Sequence, residues 1–209
     1  GRADVGQHLQ ELAAGAGEVL LDLAAAQHAA ELGFVTAARA SYERLLARDD
    51  VTAAVRSRAA LGLTMVELAA GRIEAAEAAL GRGADLLAPQ TRLRRALIAL
   101  QRRDGAAAAP LVEGLRPEEV PAEEAGWVHV AQAMLAESRG QFDRAQVAYG
   151  QAEGRAVSEL ARAQLLLARE RAQLLYGQAT PEQVQVLQRQ IDQFQGRPVQ
   201  HLHLFRRRL

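Results

Sequence analysis

Residues 31–42, ELGFVTAARASY, align without a gap to residues 138–149, SRGQFDRAQVAY. Each segment has a glycine, then an alanine five residues later and a tyrosine nine residues later. These shared positions are Gly33, Ala38 and Tyr42 in the first segment, and Gly140, Ala145 and Tyr149 in the second. Similarity at a long fixed offset indicates internal repeats, and repeats decide the fold class before any other pattern does.

The same pattern recurs between the two segments and after them. Gly71 begins a copy with Ala76 in the alanine position, and Gly105 begins a weaker copy with Pro110 in that position. Gly177 is the start of a possible fifth copy. Successive glycines then lie about 35 residues apart, which is the length of one helical hairpin. Glycine suits the turn of a hairpin because it accepts a positive φ without a Cβ clash.

The composition predicts an all-α protein. Of the 209 residues 49% are hydrophobic but only 4% are aromatic, and alanine and leucine dominate the apolar set. Both are strong helix formers. Before the glycine turns, apolar residues recur with helical spacing, as at Trp127, Val130, Ala131 and Met134. Trp127 is therefore predicted to be a packing residue, with a role as an exposed partner anchor as the alternative. No segment alternates for long enough to predict a sheet.

With these motifs the chain resembles a tetratricopeptide repeat array. The resemblance rests on the glycine, alanine and tyrosine positions of the second helices and on the Trp127 pattern of a first helix, and it covers residues 18–155 most closely. It implies a right-handed superhelical solenoid of stacked antiparallel helical hairpins, whose concave face binds a protein or peptide. The predicted hairpins are residues 18–50, 51–87, 88–118, 119–153 and 154–196, and residues 197–209 begin a further helix.

The residues that are missing exclude several chemistries. The chain contains no cysteine, lysine or asparagine. It therefore has no disulfide framework, thiolate nucleophile, Schiff-base lysine or P-loop lysine. We predict no enzymatic activity, no cofactor and no small-molecule substrate. His201 and His203 are two residues apart but have no third ligand nearby in sequence, so we predict no metal site.

Charge and hydropathy restrict the partners. The formal net charge is zero, because 25 basic residues balance 25 acidic ones. A neutral chain is not expected to coat nucleic acid, since that binding needs an excess of positive charge. No apolar run reaches the length of a membrane span. The chain begins without methionine and stops within an amphipathic pattern, so we expect it to be a piece of a longer protein. The missing lysine and asparagine indicate a GC-rich, bacterial genome.

The candidate partner-binding residues lie on the predicted first helices. If Leu93, Leu97 and Leu100 face the core, Arg94, Gln101 and Arg102 point toward the groove, where guanidinium groups can hold a partner's carboxylate. The same frame nominates Glu67 and Gln132. The alternative is a solvated helix face, with Arg102 stabilising a helix C-terminus.

The predicted function is a protein-protein interaction or scaffolding module. Another protein or peptide is the expected partner, and the bacterial periplasm or cell envelope is favoured over the cytoplasm, with export or assembly complexes as possible settings. The alternative is an RNA-binding helical repeat of the pentatricopeptide type, which the 35-residue period also fits. The neutral charge and the absence of asparagine disfavour that alternative.

Overall fold

The computed structural model describes residues 2–83, 88–155 and Gln185, and the side chains from Gly15 onward except Ala16. Eight α-helices occur in these residues, with one short 3-10 helix at Pro117–Glu119 between the sixth and seventh. The helices are α1 (Arg2–Glu31), α2 (Val35–Ala47), α3 (Ala53–Ala69), α4 (Ile73–Gly81), α5 (Ala88–Gln101), α6 (Gly105–Glu113), α7 (Ala125–Ser138) and α8 (Phe142–Gly154).

The described part of the chain contains no strand, so the predicted all-α fold is confirmed there. The helices pack as adjacent pairs, α1 with α2, α3 with α4, α5 with α6 and α7 with α8. The second helix of each pair also contacts the first helix of the next pair. The predicted hairpin at 154–196 and the further helix at 197–209 lie almost wholly outside the described residues, as do Gly177, His201 and His203.

Four turns of the same kind join the helices of the pairs. Gly33, Gly71 and Gly140 have φ of 81°, 72° and 69°, and Arg103 has φ 62°. In each turn the next residue donates its N–H to the carbonyl five residues earlier, at distances between 2.8 and 2.9 Å. The pairs are Phe34 to Ala29, Arg72 to Glu67, Asp104 to Ala99 and Gln141 to Ala136. These are Schellman motifs, which end a helix by one residue in the left-handed conformation.

The structure corrects the position of the third turn. Gly105 was predicted to be the turn residue, but it is the first residue of α6, and Arg103 takes the left-handed conformation. Asp104 caps α6 by accepting the N–H of Ala107 at 2.9 Å. The alanine position of this repeat is therefore Ala108, which is fully buried, and not the exposed Pro110.

Gly105 has a different reason to be glycine. A Cβ at this position would lie 2.8 Å from the Ser138 hydroxyl oxygen of the next hairpin. That distance is too short for a carbon atom, so glycine allows the start of α6 to approach the end of α7. From the sequence alone, a glycine needed for a left-handed turn cannot be distinguished from a glycine needed for the close approach of two helices.

Small residues meet where the two helices of each hairpin cross. Five residues after each turn residue stands a fully buried alanine, and seven residues before it stands a fully buried alanine or threonine. The first set is Ala38, Ala76, Ala108 and Ala145, and the second is Ala26, Thr64, Ala96 and Ala133. The Thr64 hydroxyl donates to the Ala60 carbonyl at 2.7 Å and lies 3.4 Å from the Ala76 carbonyl oxygen, so the two positions are in contact.

The tyrosine position connects one hairpin to the next. Tyr42 is fully buried, and its ring lies where a Cβ at Gly62 of α3 would be. Val112 and Tyr149 fill the same position in later hairpins and are also buried, whereas Leu80 is partly buried. None of the described helices combines the length and apolarity that crossing a bilayer requires.

We predict opposite stability effects at two equivalent turn positions. Gly71→Ala should lower the free energy of unfolding by about 1 kcal/mol, because its Cβ meets no atom and only the left-handed backbone is strained. Arg103→Gly should raise it by up to about 1 kcal/mol, because the strain disappears. Urea denaturation of both variants measures these changes. Two changes of the same sign would contradict the assignment of Arg103 as the third turn residue.

Candidate functional site

Arg94 lies in the interior and not on an open groove. Its side chain is 4% exposed. Nη1 donates to one Glu124 carboxylate oxygen at 2.7 Å, and Nη2 donates to the other at 2.8 Å. Gln90 donates to the same carboxylate at 2.8 Å. The prediction that Arg94 offers a guanidinium to a partner is therefore corrected, because Glu124 before α7 already occupies it.

The Tyr42 hydroxyl interacts electrostatically with Arg94 and Glu124. Burial raises the pKa of the Tyr42 hydroxyl far above its usual range, and the positive charge of Arg94 opposes that rise. Glu31 and Glu124 add to the rise in the pKa by their negative charge. Tyr42 therefore stays neutral at physiological pH and acts as a packing residue, as its burial beside Gly62 indicates.

Glu67 is also engaged inside the molecule. Its carboxylate accepts Nε of Arg39, on α2, at 2.8 Å and a second guanidinium N–H from Arg72, at the start of α4. Burial raises the pKa of Glu67 above its usual value, and the charge of Arg39 opposes that rise. Glu67 thus joins the first and second hairpins, and the expectation that it faces a partner is corrected.

Arg102 pairs across the next hairpin junction. Its Nη1 lies 3.2 Å from one oxygen of Glu77 on α4, and its Nη2 donates to the other oxygen. The hydrogen bonds from Arg102 hold the pKa of Glu77 below its usual range. The two side chains are 39% and 58% exposed, so this pair is solvated, unlike that of Arg94.

The two glutamines have intramolecular partners as well. Gln101 lies with its amide nitrogen 3.5 Å from the Leu68 carbonyl of α3. The side-chain oxygen of Gln132 lies 3.0 Å from Nδ1 of His129, three residues earlier on α7. Burial lowers the pKa of His129, so its ring is neutral at physiological pH. None of the five nominated residues presents a side chain without an intramolecular partner.

Trp127 lies on the edge of the core. It is partly buried and packs with Met134 against Val130 of α7 and Ala152 of α8. The same two side chains also contact the larger core cluster of the second, third and fourth hairpins. The position corresponds to the packing role predicted from the sequence.

Two further arginine pairs join the third and fourth hairpins and had no sequence signal of their own. Arg92 donates to the Glu119 carboxylate at 3.0 Å and to the Gly114 carbonyl. Arg139 lies 2.7 Å from Glu113, which ends α6. Paired residues 26 or 27 positions apart show no local spacing rule, so the sequence did not reveal them.

Among the described side chains of the first helices, two exposed arginines have no part in these pairs. Arg58 on α3 and Arg95 on α5 are exposed, and neither forms an ion pair with a described residue. Within the described ranges no three histidine, aspartate or glutamate side chains are grouped closely enough to hold a metal ion. The chemistry available at the described surface is therefore charge pairing and apolar contact.

Comparison with known proteins finds no matching protein-family model, no similar curated protein and no similar solved structure. The helical pairs are compatible with a helical repeat, and the sequence and the contacts carry the functional argument.

We predict that the two arginine pairs differ in their contribution to stability. Arg94→Met should lower the free energy of unfolding by about 3 kcal/mol, because it leaves the partly buried Glu124 carboxylate without its partner. Arg102→Met should lower it by less than about 1 kcal/mol, because the Glu77 pair is solvated. Urea denaturation compares the two.

The double variant Arg94→Met, Glu124→Leu is the control for the buried pair. It should recover much of the loss, because no charge stays buried without a partner. Equal losses for Arg94→Met and Arg102→Met would contradict a structural role specific to Arg94.

Proposed function

We propose that the chain is a right-handed, tetratricopeptide-like solenoid that works as a protein-protein interaction module. The observation that carries the proposal is the repetition of one hairpin design in four consecutive units. Each has the same left-handed turn and the same pair of buried small residues. Each unit also packs on the next one. Hairpins stacked in a row give an extended surface suited to binding another chain.

The ion pairs at the junctions support a scaffold of fixed shape. Arg39 with Glu67, Glu77 with Arg102 and Arg94 with Glu124 each join neighbouring hairpins. Because these side chains hold the units together, a partner has to be bound by others. We therefore propose that a partner contacts the exposed cations of the first helices, Arg58 and Arg95. Arg94, Arg102 and Glu67 are already engaged within the molecule.

The partner that fits these cations is a segment carrying carboxylates. Arg58 and Arg95 lie on the adjacent first helices α3 and α5, which are in contact with each other. A guanidinium group binds a carboxylate through two parallel hydrogen bonds. The zero net charge of the chain gives no general attraction to polyanions, so recognition depends on these local groups.

We predict an elongated particle in solution. A solenoid of four or more hairpins should give a small-angle scattering profile with a maximum dimension clearly greater than that of a sphere of 22.5 kDa. The maximum dimension from the pair-distance distribution is the measurement. A profile that fits a compact sphere would contradict the solenoid.

We also predict that the two exposed cations control partner selection. A random peptide library panned on the immobilised chain should enrich peptides rich in aspartate and glutamate. The double variant Arg58→Glu, Arg95→Glu should weaken the binding of such a peptide by about tenfold or more, because two attractive contacts become repulsive. Fluorescence anisotropy of the labelled peptide measures the affinity.

Arg82→Glu is the matched control. Arg82 is exposed at the end of α4, a second helix, so this charge change should leave peptide affinity unchanged. Failure to enrich any peptide, or an equal loss in the control variant, argues against the proposal. Retention of RNA at low salt in place of peptide would favour the pentatricopeptide-like alternative.

A further inference from the structure

The four described hairpins meet at three junctions, and these junctions differ in the contacts that hold them. The first junction lies between α2 and α3, the second between α4 and α5, and the third between α6 and α7. In an array of stacked units each unit contacts only its neighbours, so the array bends where neighbouring units hold each other least. Burial at each junction identifies that place.

The apolar core joins the hairpins unequally. The core cluster of the first junction includes six buried residues of α3 and α4, which are Val55, Ala59, Ala60, Leu63, Val66 and Ala79. The cluster of the second junction includes two buried residues of the same helices, Leu68 and Ala76, and its other members there are partly buried. It continues across the third junction to four buried residues of α7, which are Ala125, Val128, Ala131 and Leu135.

The residue nine positions after each turn residue shows the same difference. Tyr42 at the first junction and Val112 at the third are both 2% exposed. Leu80 has this position at the second junction and is only partly buried. The described side chains therefore close the second junction less tightly than the other two.

Buried polar contacts hold the first and third junctions. At the first, Glu67 is 5% exposed and pairs with Arg39, and Arg56 of α3 donates to two carbonyl oxygens at the C-terminus of α2. At the third, Arg94 is 4% exposed and pairs with Glu124. Movement of the hairpins at either junction would leave a buried charge without its partner, which is strongly destabilising.

The polar contacts of the second junction are solvated. Glu77 and Arg102 form its ion pair and are 58% and 39% exposed. The amide nitrogen of Gln101 lies 3.5 Å from the Leu68 carbonyl oxygen, at the limit of a hydrogen bond. No buried ion pair between described residues crosses this junction. An exposed ion pair contributes little and is screened by salt, so the second junction resists bending least.

We propose that the described hairpins form two rigid halves, the first with the second and the third with the fourth, which flex against each other at the second junction. Such motion of packed bodies about a short connection is hinge motion. The solvated pair of Glu77 and Arg102 holds the resting angle between the halves. The consequence for binding rests on the proposed function: Arg58 on α3 and Arg95 on α5 lie on opposite sides of this joint, so flexing changes the distance between the two partner contacts.

Spin labels at equivalent positions measure the motion at each junction. The labelled positions are exposed and lie four residues after each turn residue, at Ala37, Ala75, Ala107 and Arg144. The chain contains no cysteine, so cysteines introduced there in pairs in the full chain carry the labels. Double electron-electron resonance should give a distance distribution for Ala75→Cys, Ala107→Cys about twice as broad as that for either neighbouring pair. Equal widths, or the greatest width at another junction, would overturn the proposal.

Removal of one exposed ion pair at a time tests the role of Glu77. Glu77→Gln should broaden the distribution across the second junction. Glu113→Gln is the matched control, because Glu113 is also 58% exposed and pairs across the third junction with Arg139, which is 41% exposed. It should leave the third distribution unchanged, since the buried pair of Arg94 and Glu124 remains. Equal broadening by the two variants, or none by Glu77→Gln, overturns the role of Glu77.

The acidic peptide enriched by panning tests the link to binding. It should narrow the distribution across the second junction, because one peptide that contacts both Arg58 and Arg95 fixes the distance between the halves. Peptide binding without narrowing overturns this link. The measurement without peptide tests the joint alone, so equal widths there would overturn the joint and leave the proposed function standing.

Discussion

A fully buried pair of small residues sets the separation between the two helices of each of the four described hairpins. Ala38, Ala76, Ala108 and Ala145 meet the residues at Ala26, Thr64, Ala96 and Ala133, and none of these eight side chains reaches solvent. Any larger side chain at this crossing would push the helices apart, since protein interiors are close-packed. The two residues of each pair stand at fixed positions relative to the left-handed turn residue, one five residues after it and the other seven residues before it. The low aromatic content follows from this constraint.

The junctions between hairpins use two further kinds of contact. One is a match of shape, as where the Tyr42 ring covers Gly62, or where Gly105 allows Ser138 to approach. The other is a guanidinium that reaches across to a carboxylate, as in the pair of Arg94 and Glu124. The planar fork of arginine makes two parallel hydrogen bonds to one carboxylate, and lysine cannot do so. This chain has arginine and no lysine, so each of its 25 Lys-or-Arg positions carries a side chain that can form such a two-hydrogen-bond contact.

The sequence predicted the elements that depend on local chemistry. A glycine before an alanine-rich helix marks a Schellman turn, and Gly33, Gly71 and Gly140 have the positive φ that this pattern indicates. The third turn was predicted at Gly105. Arg103 adopts the left-handed backbone conformation instead, and an arginine in the sequence does not indicate that conformation. Gly105, two residues later, is glycine for the close approach to Ser138.

The candidate site could not be predicted in the same way. Helical periodicity shows that Arg94 and Glu67 lie off the apolar stripe of their own helix. It does not show whether the neighbouring hairpin brings a carboxylate or an arginine against them. The partners that come from the neighbouring hairpin, Arg39 for Glu67 and Glu124 for Arg94, lie 28 and 30 residues away in sequence. The exposed cations Arg58 and Arg95 had the same sequence appearance as the buried Arg94, so only the packing of the hairpins distinguishes an exposed arginine from one at a junction.

The contacts that take Arg94 and Glu67 out of solvent also join neighbouring hairpins. Arg94 binds Glu124 before α7, and Glu67 accepts a hydrogen bond from Arg39 of α2. A buried charge that loses its partner destabilises the fold strongly, so each of these pairs opposes movement of one hairpin against the next. Arg58 and Arg95 form no ion pair with a described residue and are under no such constraint. Under the proposed function, the paired arginines therefore fix the shape of the surface, and the unpaired arginines contact the partner.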